Sequence, residues 1–182
     1  MPARWVAVAS GPSLTPADCD LVRQSGLPTV VTNTSFRLCL WATALYAMDL
    51  KWWRAYHEEV ARDFAGTRLG WNVVVSNFGA TPMQGKMCGF GNSGTDAVSY
   101  AISQGAKEVL MLGYDCRQMG GKMHWHGDHP KNLSNASTIG RWPEKFKQLA
   151  AHAKRSDVRV LNVSRETSLR CFERVTLEDA LS

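Results

Sequence analysis

The order of apolar runs along this chain predicts an α/β protein: a single three-layer, Rossmann-like domain over residues 1–182 with a mostly parallel sheet. Three observations predict it. Short β-branched or apolar runs alternate with stretches of helical periodicity. Val109-Leu110-Met111-Leu112 is unbroken and apolar, the pattern of a parallel strand covered on both faces. Four strand-like runs end in small or polar residues, at Ser10-Gly11, Asn33, Asp49 and Asp115. A parallel sheet gathers such endings along one edge, where open α/β sheets bind ligands.

In chain order, Trp5–Ala9 reads as the first strand, turning through Ser10-Gly11-Pro12-Ser13-Leu14 into a helix that ends near Ser25. Thr15 caps that helix, Pro16 takes its first position and Asp18 its third. Gly26-Leu27-Pro28 interrupts the chain before a β-branched second strand, Thr29–Thr32. A third strand over Ala42–Met48 leads to a helix over Leu50–Phe64, with Trp52, Trp53 and Tyr56 as packing residues. Trp71–Val75 reads as a fourth strand and Asn77–Phe90 as a glycine-rich loop. The next helix turns Ala97, Val98, Ala101 and Ile102 inward and Asp96, Ser99, Ser103 and Gln104 outward, and Gly105 stops it. A helix over Pro143–Arg155, a final strand over Val158–Val163 and a tail from Leu177 to Ser182 complete the chain.

Composition narrows the class. Hydrophobic residues make up 45%, too many for a disordered chain, and no apolar run approaches membrane-spanning length. The N-terminus is too short for a secretory apolar region with a cleavage site. Five scattered cysteines without a C-x-x-C pair read as reduced thiols of a cytoplasmic protein. The formal charge is +5, and its excess lies in residues 141–174, with nine Lys or Arg against four Asp or Glu. That stretch suits nucleotides or nucleic acid as partners; a solvated helix face explains it equally well.

The central stretch GFGNSGTDAVSYAISQGAKEVLMLGYD joins a glycine-rich turn, a helix, a buried strand and an acid. Backbone N–H groups of Gly91–Gly94 would leave a helix N-terminus, where the dipole favours an anion. The same residues also read as a capping box, Ser93-x-x-Asp96, with Asp115 capping the next turn. The segment over about 116–142 has no periodicity and is long for a connector, which marks it as a candidate active-site loop. It carries His124, His126, Asp128 and His129. His-x-His sets two imidazoles on one side of an extended segment, and His129 would complete a zinc trio that lacks an evident fourth ligand. The histidines serve equally as acids or bases beside a phosphate, or simply hold the loop together.

GPSL after the first strand, Asn33 after the second, and NSG-helix-GAKEVLMLGYD resemble a nucleotide-binding core common to two families. One is the bacterial sialyltransferases that use CMP-activated sialic acid. The other is the 6-hydroxymethylpterin diphosphokinases and their relatives in bacteria and phages. The likeness spans most of the chain from Trp5 to Val163. It implies nucleotide contacts at Gly11, Ser13, Asn33, Ser93, Gly94 and Asp115. His124-Trp125-His126-Gly127-Asp128-His129-Pro130-Lys131-Asn132 resembles the sialyltransferase histidine loop with one residue inserted, which puts the general base on His129. Two positions depart: Asp49 stands where that family has asparagine, and Arg117 replaces its phosphate-binding tyrosine.

These readings lead to a transferase with an activated nucleotide donor. A sialyltransferase-like glycosyltransferase would need no cofactor: His129 or Asp115 would act as base on an acceptor hydroxyl of a glycan, small molecule or modified DNA base, and Arg117 would hold phosphate. The alternative is pyrophosphoryl transfer from Mg-ATP, with Asp49 and Asp115 near Mg²⁺. A third reading is a nucleotide-binding module without catalysis. No closed four-ligand set can be read, so no structural zinc is expected.

Overall fold

The computed structural model describes residues 3–127, 133 and 139–182. Among them eight strands, all parallel, form one sheet: β1 (Arg4–Val8), β2 (Thr29–Thr32), β3 (Ala44–Tyr46), β4 (Thr67–Gly70), β5 (Thr81–Pro82), β6 (Glu108–Leu112), β7 (Arg159–Asn162) and β8 (Glu173–Arg174). Their order is β5-β4-β3-β2-β1-β6-β7-β8. The helices are α1 (Pro16–Ser25), α2 (Leu50–Asp63), α3 (Ser93–Ser103), α4 (Trp142–Arg155) and α5 (Leu177–Leu181). This is the expected Rossmann-like α/β architecture, and no helix among the described residues is long and apolar enough to cross a membrane.

Strand side chains alternate between two cores, as the two-residue period of a strand requires. Val6, Val8, Leu110 and Leu112 pack with Val22 of α1, Trp52 and Trp53 of α2 and Leu177 of α5. On the other face Trp5, Ala7, Val109 and Met111 meet Ala97 and Ala101 of α3 and Leu149 of α4. Helices on both faces explain why β6 is apolar at consecutive positions.

Local sequence sets several boundaries. Thr15 and Asp18 form a reciprocal capping box at α1, and Gly26 closes that helix in the left-handed conformation. Other expectations are corrected. The fourth strand is Thr67–Gly70, while Val73–Phe78 winds into a 3₁₀ helix begun by the Asn72 side chain, which accepts from Val74 N–H. Val73 and Val74 are exposed there, so their β-branched side chains have no sheet face to fill. The third strand keeps only Ala44–Tyr46. The last strand is β8, which pairs with β7, and the tail from Leu177 is the helix α5, capped by Thr176.

In α3, Asp96 and Ser99 are buried rather than outward. Asp96 accepts hydrogen bonds from the Tyr46 hydroxyl (3.0 Å) and from Phe90 N–H (2.7 Å), which ties the glycine-rich loop to the sheet. Burial, only partly offset by these bonds, raises its pKa.

Candidate functional site

The strand β1 lies in the middle of the sheet. From β1 it moves outward to β2, whereas β6, on the other side of β1, leads on to β7. Neighbouring strands that send their connections in opposite directions leave a crevice at their carboxyl ends. A cleft of about 670 Å³ lies there, with Ser10 and Gly11 from the end of β1, Asn33 from β2, Asp49 from β3 and Gly113 from β6 in its lining. A slightly larger hollow of about 730 Å³ sits between α4 and β7 at the far end of the sheet, away from every one of these strand endings.

A tight knot forms the base of the cleft. Asp115 is fully buried, and its carboxylate accepts from Ser13 N–H (2.6 Å) and from the Ser13 hydroxyl (2.9 Å). Gly11 N–H donates to Gly113 carbonyl at 2.8 Å, and a Cβ on Gly11 would overlap the Asp115 carboxylate and that carbonyl. Glycine is therefore required there by crowding. Burial lifts the Asp115 pKa above its ordinary value, with the two Ser13 bonds offsetting part of the rise. Ser13 and Asp115 are not among the residues lining the cleft. They join the turns after β1 and β6 beneath it.

The N-terminus of α3 faces the cleft through Asn92, Ser93 and Gly94. Its cap is Asn92, whose side-chain oxygen accepts Thr95 N–H at 2.8 Å, so the Ser93-x-x-Asp96 capping box is not formed. Ser93 instead bridges two strand endings: its hydroxyl donates to the Asn33 side chain at 3.3 Å and accepts from Met48 N–H at 3.1 Å. The N–H groups of Ser93 and Gly94 belong to the first turn and have no intrahelical acceptor. A Cβ on Gly94 would lie 3.2 Å from the Tyr114 ring, which donates its hydroxyl to the Gly94 carbonyl.

Arg117, Lys51 and Arg54 supply cations to the lining, and Asp49 is its single carboxylate among the described residues. Arg117 also reaches Glu166 at 3.5 Å. Asp49 caps α2 by accepting Lys51 N–H at 2.8 Å. Of the two carboxylates expected near Mg²⁺, Asp49 lines the cleft, whereas both oxygens of Asp115 accept from Ser13 beneath it. Met48, Ile139, Trp142 and Phe146 add an apolar part to the same lining.

The loop after β6 folds back over the end of β1. Trp125 N–H donates to Ser10 carbonyl at 3.1 Å and its indole donates to the Ser35 hydroxyl at 3.0 Å. His124 Nδ1 lies 2.8 Å from the Ser10 hydroxyl, and both residues line the cleft. The rings of His124 and His126 stack, 5.2 Å between centres and 6° between planes. His129 and Asp128 lie outside the described residues, and no three His, Cys, Asp or Glu side chains gather as a metal site among those described. Backbone strain marks the same rim: Asn33 (φ 48°) and Cys116 (φ 50°), both in the lining, are left-handed without being glycine.

Of the residues singled out in the sequence, Gly11, Asn33, Asp49, Ser93, Gly94 and Arg117 line the cleft; Lys51, Arg54 and Trp142 line it too and were not singled out. Two cations directly after the strand-ending Asp49 were the available signal for the first two. Within the basic stretch 141–174, Arg159 pairs with Glu108 and Glu173, and Arg165 with Asp18. No protein-family model matches the sequence, and no curated protein matches it significantly.

Proposed function

We propose that the chain is a transferase that binds an activated nucleotide donor in the cleft between the ends of β1 and β6. One observation carries the reading: the cleft combines the first turn of α3 and three cations with an apolar part that includes Trp142. Nucleotide sites need that combination, since phosphates take the dipole and the charges while the base takes an apolar, stackable surface. Among the described residues, three cations against one carboxylate favour a donor whose phosphate charge the protein itself neutralises, as a glycosyl donor requires, over a metal-nucleotide complex held by paired acids. In this reaction the bond from the transferred group to phosphate breaks. Its electron pair moves onto the phosphate oxygen, steadied by α3 and Arg117, as the acceptor hydroxyl attacks. A histidine takes the acceptor's proton; by the sialyltransferase resemblance that residue is His129.

A thermal-shift screen with CMP-, UDP- and ADP-linked sugars, and with ATP with and without Mg²⁺, tests the reading. A ligand at about a hundred times its Kd adds about 2.7 kcal/mol, a rise of roughly 5–10 °C for a chain of this size. Absence of any shift at millimolar nucleotide refutes it. A shift without turnover of any donor leaves only the binding module. With the donor identified, His129→Ala is expected to lower turnover by roughly 10²–10⁴ with little change in affinity.

A further inference from the structure

We propose that Lys51 and Arg54 form a second anion subsite in the cleft, so that its ligand carries two separate anionic groups. The inference rests on the nucleotide reading above and adds the number and placement of its charges. One phosphate belongs at the N-terminus of α3 beside Arg117. The second anionic group belongs against α2.

Lys51 and Arg54 stand three positions apart, hence on one face of the helix, and both side chains line the cleft. Several surface cations find carboxylates, among them Arg37 with Glu59, Arg62 with Asp63 and Arg165 with Asp18. Lys51 and Arg54 have no ion-pair partner among the described residues. Both occupy the opening turns of a 14-residue helix, whose positive end disfavours cations, and that first turn holds no acid. Only the Asp49 cap works the other way, and its carboxylate is already bonded to Lys51 N–H.

Two neighbouring cations repel one another, and the helix end repels both. The protein without ligand thus carries an electrostatic conflict at one wall of its cleft, the kind of local inconsistency expected at a functional site. An anion placed there removes the conflict and gains charge-assisted hydrogen bonds. A phosphate at α3 does not remove it, because Arg117 is the cation assigned to that position and already leans on Glu166. The second group is either a further phosphate of the nucleotide or a carboxylate on the transferred group. Both present the same planar or tetrahedral oxygens to ammonium and guanidinium.

Titration calorimetry at low salt separates these cases, with a nucleoside monophosphate, the diphosphate of the same base, and CMP linked to a sugar acid. The wild type is expected to bind a ligand with two separate anionic groups about tenfold or more tightly than the monophosphate. The Lys51→Gln, Arg54→Gln double variant erases that ratio: it weakens the ligands with two anionic groups by at least the tenfold they gained, and the monophosphate by less. Arg117→Gln weakens all ligands alike. A gain for the diphosphate alone assigns a second phosphate, and a gain for the sugar-acid conjugate alone assigns a carboxylate. The double variant should also melt no lower than the wild type, since it loses only repulsion; this shows that lost binding is not lost folding. A wild type without preference, or a preference that survives in the double variant, overturns the subsite. If no nucleotide binds at all, the monophosphate included, the nucleotide reading falls and this inference with it.

Discussion

Replacing Asp115 with alanine distinguishes a brace from a base. The carboxylate accepts two hydrogen bonds from Ser13, at 2.6 and 2.9 Å, and is wholly buried. Bonds to a charged acceptor contribute about 1.5–3 kcal/mol each. Part of that is offset by the cost of burying the charge, which the raised pKa of Asp115 records. A net loss of about 2–4 kcal/mol follows for Asp115→Ala, or about 4–16 °C in the melting midpoint. Ser13→Ala keeps the backbone bond and should cost about 1 kcal/mol. The double variant should lose less than the sum of the singles by up to about 1 kcal/mol, because the residues share one interaction. Sign and pH follow from the same shift. A carboxyl whose pKa is raised on folding contributes fully below its unfolded value, about 3.9, and loses that contribution as pH rises through the folded value. The gap between wild type and Asp115→Ala is therefore widest in acid and narrows above it. Urea melts of the four proteins at several pH values measure all of this. An Asp115→Ala protein within about 0.5 kcal/mol of wild type that has lost all turnover would refute the brace and make Asp115 the base.

Two further outcomes are expected. Asp18 is pushed up by burial but pulled down more strongly by hydrogen bonds from Arg165 and Thr15, so its folded pKa is lowered. Its pairing thus stabilises above about pH 4 and is lost as pH falls through the folded value. Because Arg165 is half exposed, Arg165→Ala should cost only about 1–2 kcal/mol at pH 7 in urea melts, with the deficit gone in strong acid. Burial pushes the Cys116 thiol up to about 12, so at pH 8 iodoacetamide should label the exposed Cys88 well before Cys116. Peptide mapping that finds Cys116 labelled first would contradict the burial of that rim.

Much of the fold was legible because local and global preferences agree. Thr15-Pro16-x-Asp18 caps α1 where the sequence places it, and the apolar run of β6 is buried on both faces. The Trp71–Val75 strand failed because propensity says nothing of sheet vacancy: Val73–Val75 had a residue count and a composition, but Asn72 offered the backbone a turn instead. The site was half legible. Strand endings announce themselves by residue type, so Asn33, Asp49 and Ser10-Gly11 could be found without coordinates. Which side chain enters the cleft depends on packing. Asp115 and Ser13 share the right strand edge with Asn33 yet satisfy one another below it, and Lys51 and Arg54 reach the cleft only because α2 starts there.

The position of β1 in the sheet also orders the assembly of the protein. Its partner β2 follows within a short stretch of chain, but its other partner, β6, begins at Glu108. During synthesis the strand Arg4–Val8 therefore waits with one row of backbone N–H and C=O groups open while the whole of β2 to β5 emerges. Closing that contact joins residues about a hundred positions apart, a slow step because the loop entropy precedes the reward. Until it closes, the molecule has an apolar central edge rather than the short two-residue edges β5 and β8 that it shows when complete. Chains that stall before β6 would join one another along that edge, so the arrangement that creates the cleft also makes unfinished chains adhesive.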